Sequence, residues 1–155
     1  MHFHLVAVGT RVPDWVAAGF DDYARRLHGG ARLELHAVAA ARRRNNAQPE
    51  RDRAEEAQRL RAAVPARAYR IALDRGGRAI STEGLAESMR AWNRTGESVA
   101  FLVGGPDGLD PALLAEADER WSLSPLTLPH ALVRVVLAEQ IYRGLSILHN
   151  QPYHR

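Results

Sequence analysis

The chain has no cysteine in its 155 residues. That excludes a disulfide framework, thiolate nucleophiles and cysteine-bound zinc. Nor does it contain an apolar run near the ~20 residues needed to cross a bilayer. Its opening segment, Met1-His-Phe-His-Leu-Val-Ala-Val-Gly9, lacks the charged start and long apolar stretch of a secretory signal and reads as a strand. No glycine fingerprint of the G-x-G-x-x-G type is present, so a Rossmann-type cofactor site has no support. No repeat or linker divides the chain, and 1–155 reads as one domain large enough for a real core. Together these absences give the expectation of a cytoplasmic protein with no membrane partner.

What the chain does carry is an alternation of two hydrophobic periods. Strand-like segments fall at His2–Val8, Arg32–Val38, Ala68–Leu73, Ser98–Val103 and, briefly, Trp121–Ser124. Helical segments fall at Asp14–His28, Pro49–Ala63, Ser81–Asn93, Ala112–Glu119 and Ala131–Leu148. Asp74-Arg75-Gly76-Gly77 is a turn signal closing the third strand. Strand–helix alternation predicts an α/β fold, a mostly parallel sheet with helices on both faces. In such sheets ligands sit at the carboxyl ends of the strands, where Leu73 and Gly104 fall.

Two irregular segments lie near those ends. Phe101-Leu-Val-Gly-Gly-Pro-Asp-Gly-Leu109 breaks a buried strand at two glycines, where no Cβ stops another group from approaching the backbone. Trp121-Ser-Leu-Ser-Pro-Leu-Thr-Leu-Pro-His130 is broken by two prolines, yet is too apolar for an ordinary solvated loop. They form either a pocket of backbone and leucine or two tight turns that close the fold. In the pocket reading, Gly104→Val blocks a ligand and spares the fold.

The net charge of +3 leans modestly toward an anionic partner such as nucleic acid. Arg42-Arg-Arg-Asn-Asn46 is a phosphate-neutralising loop or simply a solvated one. The charged helix after it reads as an exposed surface helix. In the last helix, Val133, Leu137, Ile141, Leu145 and Leu148 make one apolar stripe, and Leu132, Val135, Val136 and Tyr142 a second. Two apolar faces need two covers, and a second subunit supplies the other one economically. On that reading Ile141→Asp buries a charge on either face. His2 and His4 share a strand face without a carboxylate or cysteine at ligand spacing, so no metal is expected. The ending, Tyr153-His-Arg155, is either a frayed end or a functional tail of ring, imidazole and guanidinium.

These motifs together resemble the ribosomal RNA large-subunit methyltransferase H family of the SPOUT class. The resemblance rests on Leu5-Val-Ala-Val-Gly9, Leu73-Asp74, Leu102-Val-Gly-Gly-Pro-Asp-Gly-Leu109 and Ser122-Leu-Ser-Pro-Leu-Thr-Leu-Pro-His130. It continues through Leu132-Val-Arg-Val-Val-Leu137, Glu139-Gln-Ile-Tyr-Arg143 and Pro152-Tyr-His-Arg155, and covers essentially the whole chain. The arginine loop and the helix after it match more loosely.

The resemblance implies a SPOUT-type fold with a deep C-terminal trefoil knot, a homodimer, and S-adenosylmethionine bound in the knot. Carried over by position, the cofactor residues are Leu73, Gly104, Leu123, Ser124, Pro125, Leu126, Thr127 and Leu128. The implied reaction is methylation of N3 of a pseudouridine in large-subunit (23S) ribosomal RNA, on the assembled ribosome. Imide N3 must lose its proton before it attacks. His154 is the candidate proton acceptor, with Arg134, Tyr153 and Arg155 as substrate-binding or electrostatic aids. A methyltransferase for another RNA, such as transfer RNA, and a non-catalytic ribosome-binding factor are the alternatives.

Overall fold

The structure, a computed structural model, describes residues 1–42 and 48–155. Five strands form one sheet in the order β2-β1-β4-β3-β5, and every pairing is parallel. The strands are β1 (His2–Val8), β2 (Arg32–Val38), β3 (Tyr69–Ala79), β4 (Val99–Val103) and β5 (Glu119–Ser122). Between and after them come α1 (Asp14–Arg26), α2 (Pro49–Ala63), α3 (Thr82–Thr95), α4 (Pro111–Glu116) and α5 (His130–Leu148). The expected α/β architecture is therefore observed.

Period-two alternation explains the two layers. Phe3, Leu5 and Ala7 point to the face packed by Phe20 of α1, Leu85 and Met89 of α3, and Leu137 and Ile141 of α5. Val6, Val8 and Leu102 point the other way, onto Ala57 and Leu60 of α2 and Leu113 of α4. Covering both faces is what lets β4 consist wholly of buried apolar residues. Trp92 anchors the first layer, stacked 5.9 Å from Trp121 and edge-on to Phe101 and Phe3 at 6.4 Å.

Three expectations need correction. The Asp74–Gly77 turn signal does not end β3. Both Leu73 and Arg78 pair with Trp121, so residues 74–77 leave the ladder and the strand then resumes. Gly77 makes the return possible, because a Cβ there would stand 2.7 Å from the Arg120 carbonyl carbon and oxygen. The fourth helix stops at Glu116, and Glu119 opens β5 by accepting from Trp121 Nε1 at 2.7 Å, Arg78 Nη2 at 2.9 Å and Tyr69 Oη at 3.0 Å.

Ile141 is the third correction. It is fully buried beside Leu137 and Leu145 in its own chain's core, so Ile141→Asp attacks the fold before any subunit contact. The second stripe behaves differently, with Leu132, Val135, Val136 and Tyr142 all left partly exposed. Of the arginine loop, Arg42 is exposed, and Arg43, Arg44, Asn45 and Asn46 lie outside the described residues.

Candidate functional site

A cavity of about 360 Å³ opens at the carboxyl ends of β4 and β5, beside the excursion within β3. Three segments wall it: Leu73–Arg75, Val103–Leu109 and the run from Ser122 to Leu128, with His130 and Val133 of α5 behind. Leu73, Gly104, Leu123, Ser124, Leu126, Thr127 and Leu128 all line it. Pro125 is the one expected cofactor position that does not, and its carbonyl instead accepts from Arg75 Nη2 at 3.4 Å. Segments far apart in sequence thus meet, because a parallel sheet delivers the ends of its strands to one edge.

Local hydrogen bonds shape the proline-interrupted wall. Ser122 Oγ donates to the Ser124 carbonyl at 3.1 Å, and Ser124 Oγ accepts from Leu126 N–H at 2.9 Å. Arg75 Nη1 donates to Thr127 Oγ1 at 2.8 Å, joining the β3 excursion to this wall. Leu126 is left 72% exposed, an unusual position for a large apolar side chain.

The glycine loop closes on itself. Gly108 N–H donates to the Gly105 carbonyl at 3.0 Å, with Gly108 in the left-handed region at φ +79°. A Cβ on Gly104 would stand 2.5 Å from the Gly108 carbonyl carbon and 2.9 Å from Leu109 N. The group that approaches Gly104 is therefore the backbone of its own loop. The expectation that Gly104→Val obstructs a ligand and spares the fold is corrected: the added carbon breaks the loop itself.

Arg134 is 2% exposed and donates from Nη2 to the Val8 and Gly9 carbonyls at 3.2 and 2.6 Å. Burial lowers its pKa, and its Nε finds no partner. The side chain ties α5 to the end of β1 and faces no open surface.

The chain's end is docked. Gln151 N–H donates to the Ser146 carbonyl at 2.8 Å, turning the tail back along α5. The Tyr153 ring meets Tyr142 edge-on at 4.7 Å, under the Arg143 guanidinium at 4.6 Å, and its hydroxyl donates to Glu139 at 3.1 Å. Burial first, then the Tyr23 hydroxyl and the Glu139 charge, push its pKa up to about 12. Tyr153 is thus a neutral donor at physiological pH. His154 Nε2 lies 3.1 Å from Glu83 Oε1, with Nδ1 3.5 Å from Arg143 Nη1, and Arg155 is exposed. None of these three lines the cavity, so one chain does not bring tail and pocket together.

Sequence reasoning missed Arg75 and Asp74 as wall residues, because their segment reads as a turn. It also missed the reach of Glu139, which accepts from Arg143, Gln140 and Tyr153. The expected pairing of Glu139 with Arg143 one turn on is present at 2.6 Å.

Comparison with known proteins fits this geometry. The family model described as "Predicted SPOUT methyltransferase" matches residues 1–154. A Bordetella avium protein named ribosomal RNA large subunit methyltransferase H is 50% identical over 155 residues, 100% of this chain and 99% of its own. Nitrosococcus oceani has a protein of the same name, 48% identical over the same shares. The solved structure of a "probable methylase family protein" from Haemophilus influenzae superposes with a TM-score of 0.60 at 12% identity, over 99% of this chain and 70% of that one. A "Probable Methyltransferase" from Bordetella pertussis gives 0.55 at 14% identity, over 93% and 96%. At such identities the structures show a shared fold, whereas the family model and the full-length relatives decide membership: this chain belongs to the SPOUT methyltransferase family.

Proposed function

We propose that the chain methylates N3 of a pseudouridine in large-subunit (23S) ribosomal RNA, using S-adenosylmethionine, as a homodimer acting on the assembled ribosome. The observation that carries this is the 360 Å³ cavity walled by seven of the eight positions that the family resemblance assigned to the cofactor. The names of the full-length relatives supply the ribosomal substrate. The trefoil knot expected of the family belongs to the same reading.

The wall residues suit the cofactor chemically. Leucines 73, 123, 126 and 128 can sandwich an adenine, and loop amides and carbonyls can read its edge. Asp74, ion-paired with Arg120 at 2.8 Å, and Asp107 line the cavity beside Arg75, so the wall is not a basic one and suits a ligand carrying a sulfonium. When bound, the cofactor would supply an electrophilic methyl group, its sulfonium leaving as a neutral thioether as the nitrogen–carbon bond forms. The protein must then align the imide nitrogen and accept its proton. We assign proton acceptance to His154 and phosphate or oxyanion contact to Arg155. We assign base positioning to Tyr153, whose hydroxyl holds the tail against α5 by donating to Glu139. Arg134 acts at one remove as a positioning residue, fixing Gly9 and β1 beside the α5 start.

Because the tail lies outside its own chain's cavity, the complete site in this reading takes a pocket from one protomer and a tail from the other. The partly exposed Leu132 and Val136 of α5, one turn apart, supply the apolar contact. Calorimetry with S-adenosylmethionine tests the pocket. Mass spectrometry of ribosomal RNA from a strain lacking the gene tests the substrate. Expected are one cofactor per chain and loss of a single methyl from one pseudouridine. An unchanged RNA mass map would overturn the substrate assignment.

A further inference from the structure

At the opposite end of the sheet from the cavity, three imidazoles and a carboxylate converge on β1 and β2. Their parallel register sets His2 beside Arg32, His4 beside Glu34 and Val6 beside His36. Alternation then puts His2, His4, Glu34 and His36 on one face, the face whose continuation, Val6 and Val8, packs under α2. His2 Nε2 stands 2.8 Å from Glu34 Oε1, and His4 Nδ1 stands 3.0 Å from His36 Nε2. Glu34 Oε2 is 3.9 Å from His36 Nε2. A ligand atom from each of His2, His4 and Glu34 lies within 4.8 Å of the other two.

We propose that His2, His4 and Glu34 bind one divalent ion of the zinc class, with water completing its shell and His36 hydrogen-bonded to His4 beside it. Bonds of about 2.0–2.1 Å in tetrahedral geometry place neighbouring ligand atoms about 3.3 Å apart. His2 and Glu34 stand closer than that at 2.8 Å, and the three ligand atoms lie within 4.8 Å of one another, so rotations of these side chains would bring them around one ion. Imidazole nitrogens with one carboxylate favour a borderline ion over calcium or magnesium, which prefer all-oxygen shells. His4 is 4% exposed and gives the site a rigid floor, while His2 and Glu34 remain open to solvent and give the ion an entrance. β2 is an edge strand with β1 as its one neighbour, so an ion shared between them would clasp the edge. The sequence places His2 and His4 together, but the third ligand, Glu34, arrives only through the pairing with β2.

Titration of metal-stripped, full-length protein with zinc chloride in a non-coordinating buffer tests the site. The expected result is one ion per chain, a raised melting temperature, and visible bands of a tetrahedral centre when cobalt replaces zinc. His2→Asn and Glu34→Gln alter solvent-open positions and should keep the fold, while weakening zinc binding about tenfold or more each. His28→Asn with His149→Asn removes another close imidazole pair, with ring centres 5.3 Å apart, and should leave the affinity unchanged. Absence of one-to-one uptake overturns the proposal, as does uptake that survives both His2→Asn and Glu34→Gln. Should either variant misfold, imidazole resonances of the unaltered protein decide: zinc must shift those of His2 and His4. Cofactor binding at the far end of the sheet is a separate readout, so failure here leaves the methyltransferase reading standing.

Discussion

Leu126→Ala separates the cavity's role in binding from any role in folding. Leu126 is 72% exposed in the free chain, so its side chain contributes little to the core. Exposed substitutions of this kind change stability by about 0.5 kcal/mol or less, a shift of roughly 1–2 °C in melting temperature for a domain this size. Covering the leucine with a bound adenosyl group is another matter. Full burial of a leucine side chain is worth about 1.5–3 kcal/mol. With 72% of that surface available, about 1–2 kcal/mol is at stake, or roughly five- to thirtyfold in dissociation constant. Isothermal titration with S-adenosylmethionine reads the affinity, and differential scanning calorimetry without ligand reads the fold. An affinity equal to the unaltered protein would show that this wall does not touch the ligand. A melting temperature many degrees lower would show that Leu126 is structural, and either result would refute the reasoning.

Gly104→Ala should cost about 1–3 kcal/mol or more, because its Cβ meets the Gly108 carbonyl carbon at 2.5 Å; thermal unfolding, several degrees earlier, checks this before any binding assay. Val136→Asp should yield a folded monomer by light scattering, since Val136 is partly exposed on the α5 stripe, whereas an intact dimer would relocate the interface. Deleting Tyr153–Arg155 should leave cofactor affinity unchanged and lower methylation about a hundred- to ten-thousandfold, as expected when acid–base help is lost; undiminished activity would make the docked tail purely structural. Glu119→Leu strands the Trp121 indole N–H and should cost about 1–3 kcal/mol in urea unfolding. Burial alone would raise the Glu119 pKa, but donors from Trp121, Arg78 and Tyr69 outweigh it and hold the carboxyl below its ordinary 4.5. Its contribution is thus complete above about pH 4.5 and should fade as pH drops further, a fade missing from Glu119→Leu.

What the sequence determined by itself was whatever depends on near neighbours. Because alternation and helical spacing are set within a few residues, periodicity found the ten elements of the described residues, though it ended β3 at Leu73 and ran the fourth helix into β5. The β1 and β2 bounds, His2–Val8 and Arg32–Val38, agree to the residue. The cavity wall was legible through resemblance, since the glycine and proline loops carry distinctive residues in fixed order. The tertiary structure decided everything that depends on what lies across a gap. What a Gly104 Cβ would meet is a backbone four residues away in a folded loop, and that turned a pocket variant into a loop variant. Of the two α5 stripes, packing against the sheet buried Ile141 and left Val136 partly exposed, a choice invisible to a hydrophobic pattern apolar on both sides. Arg134 reads as a cation ready for substrate, but the Val8 and Gly9 carbonyls take it up at 3.2 and 2.6 Å. His2 and His4 gained Glu34 and His36 only when register aligned strands some thirty residues apart. Local sequence fixes which face a side chain takes, but long-range packing alone determines what it meets there.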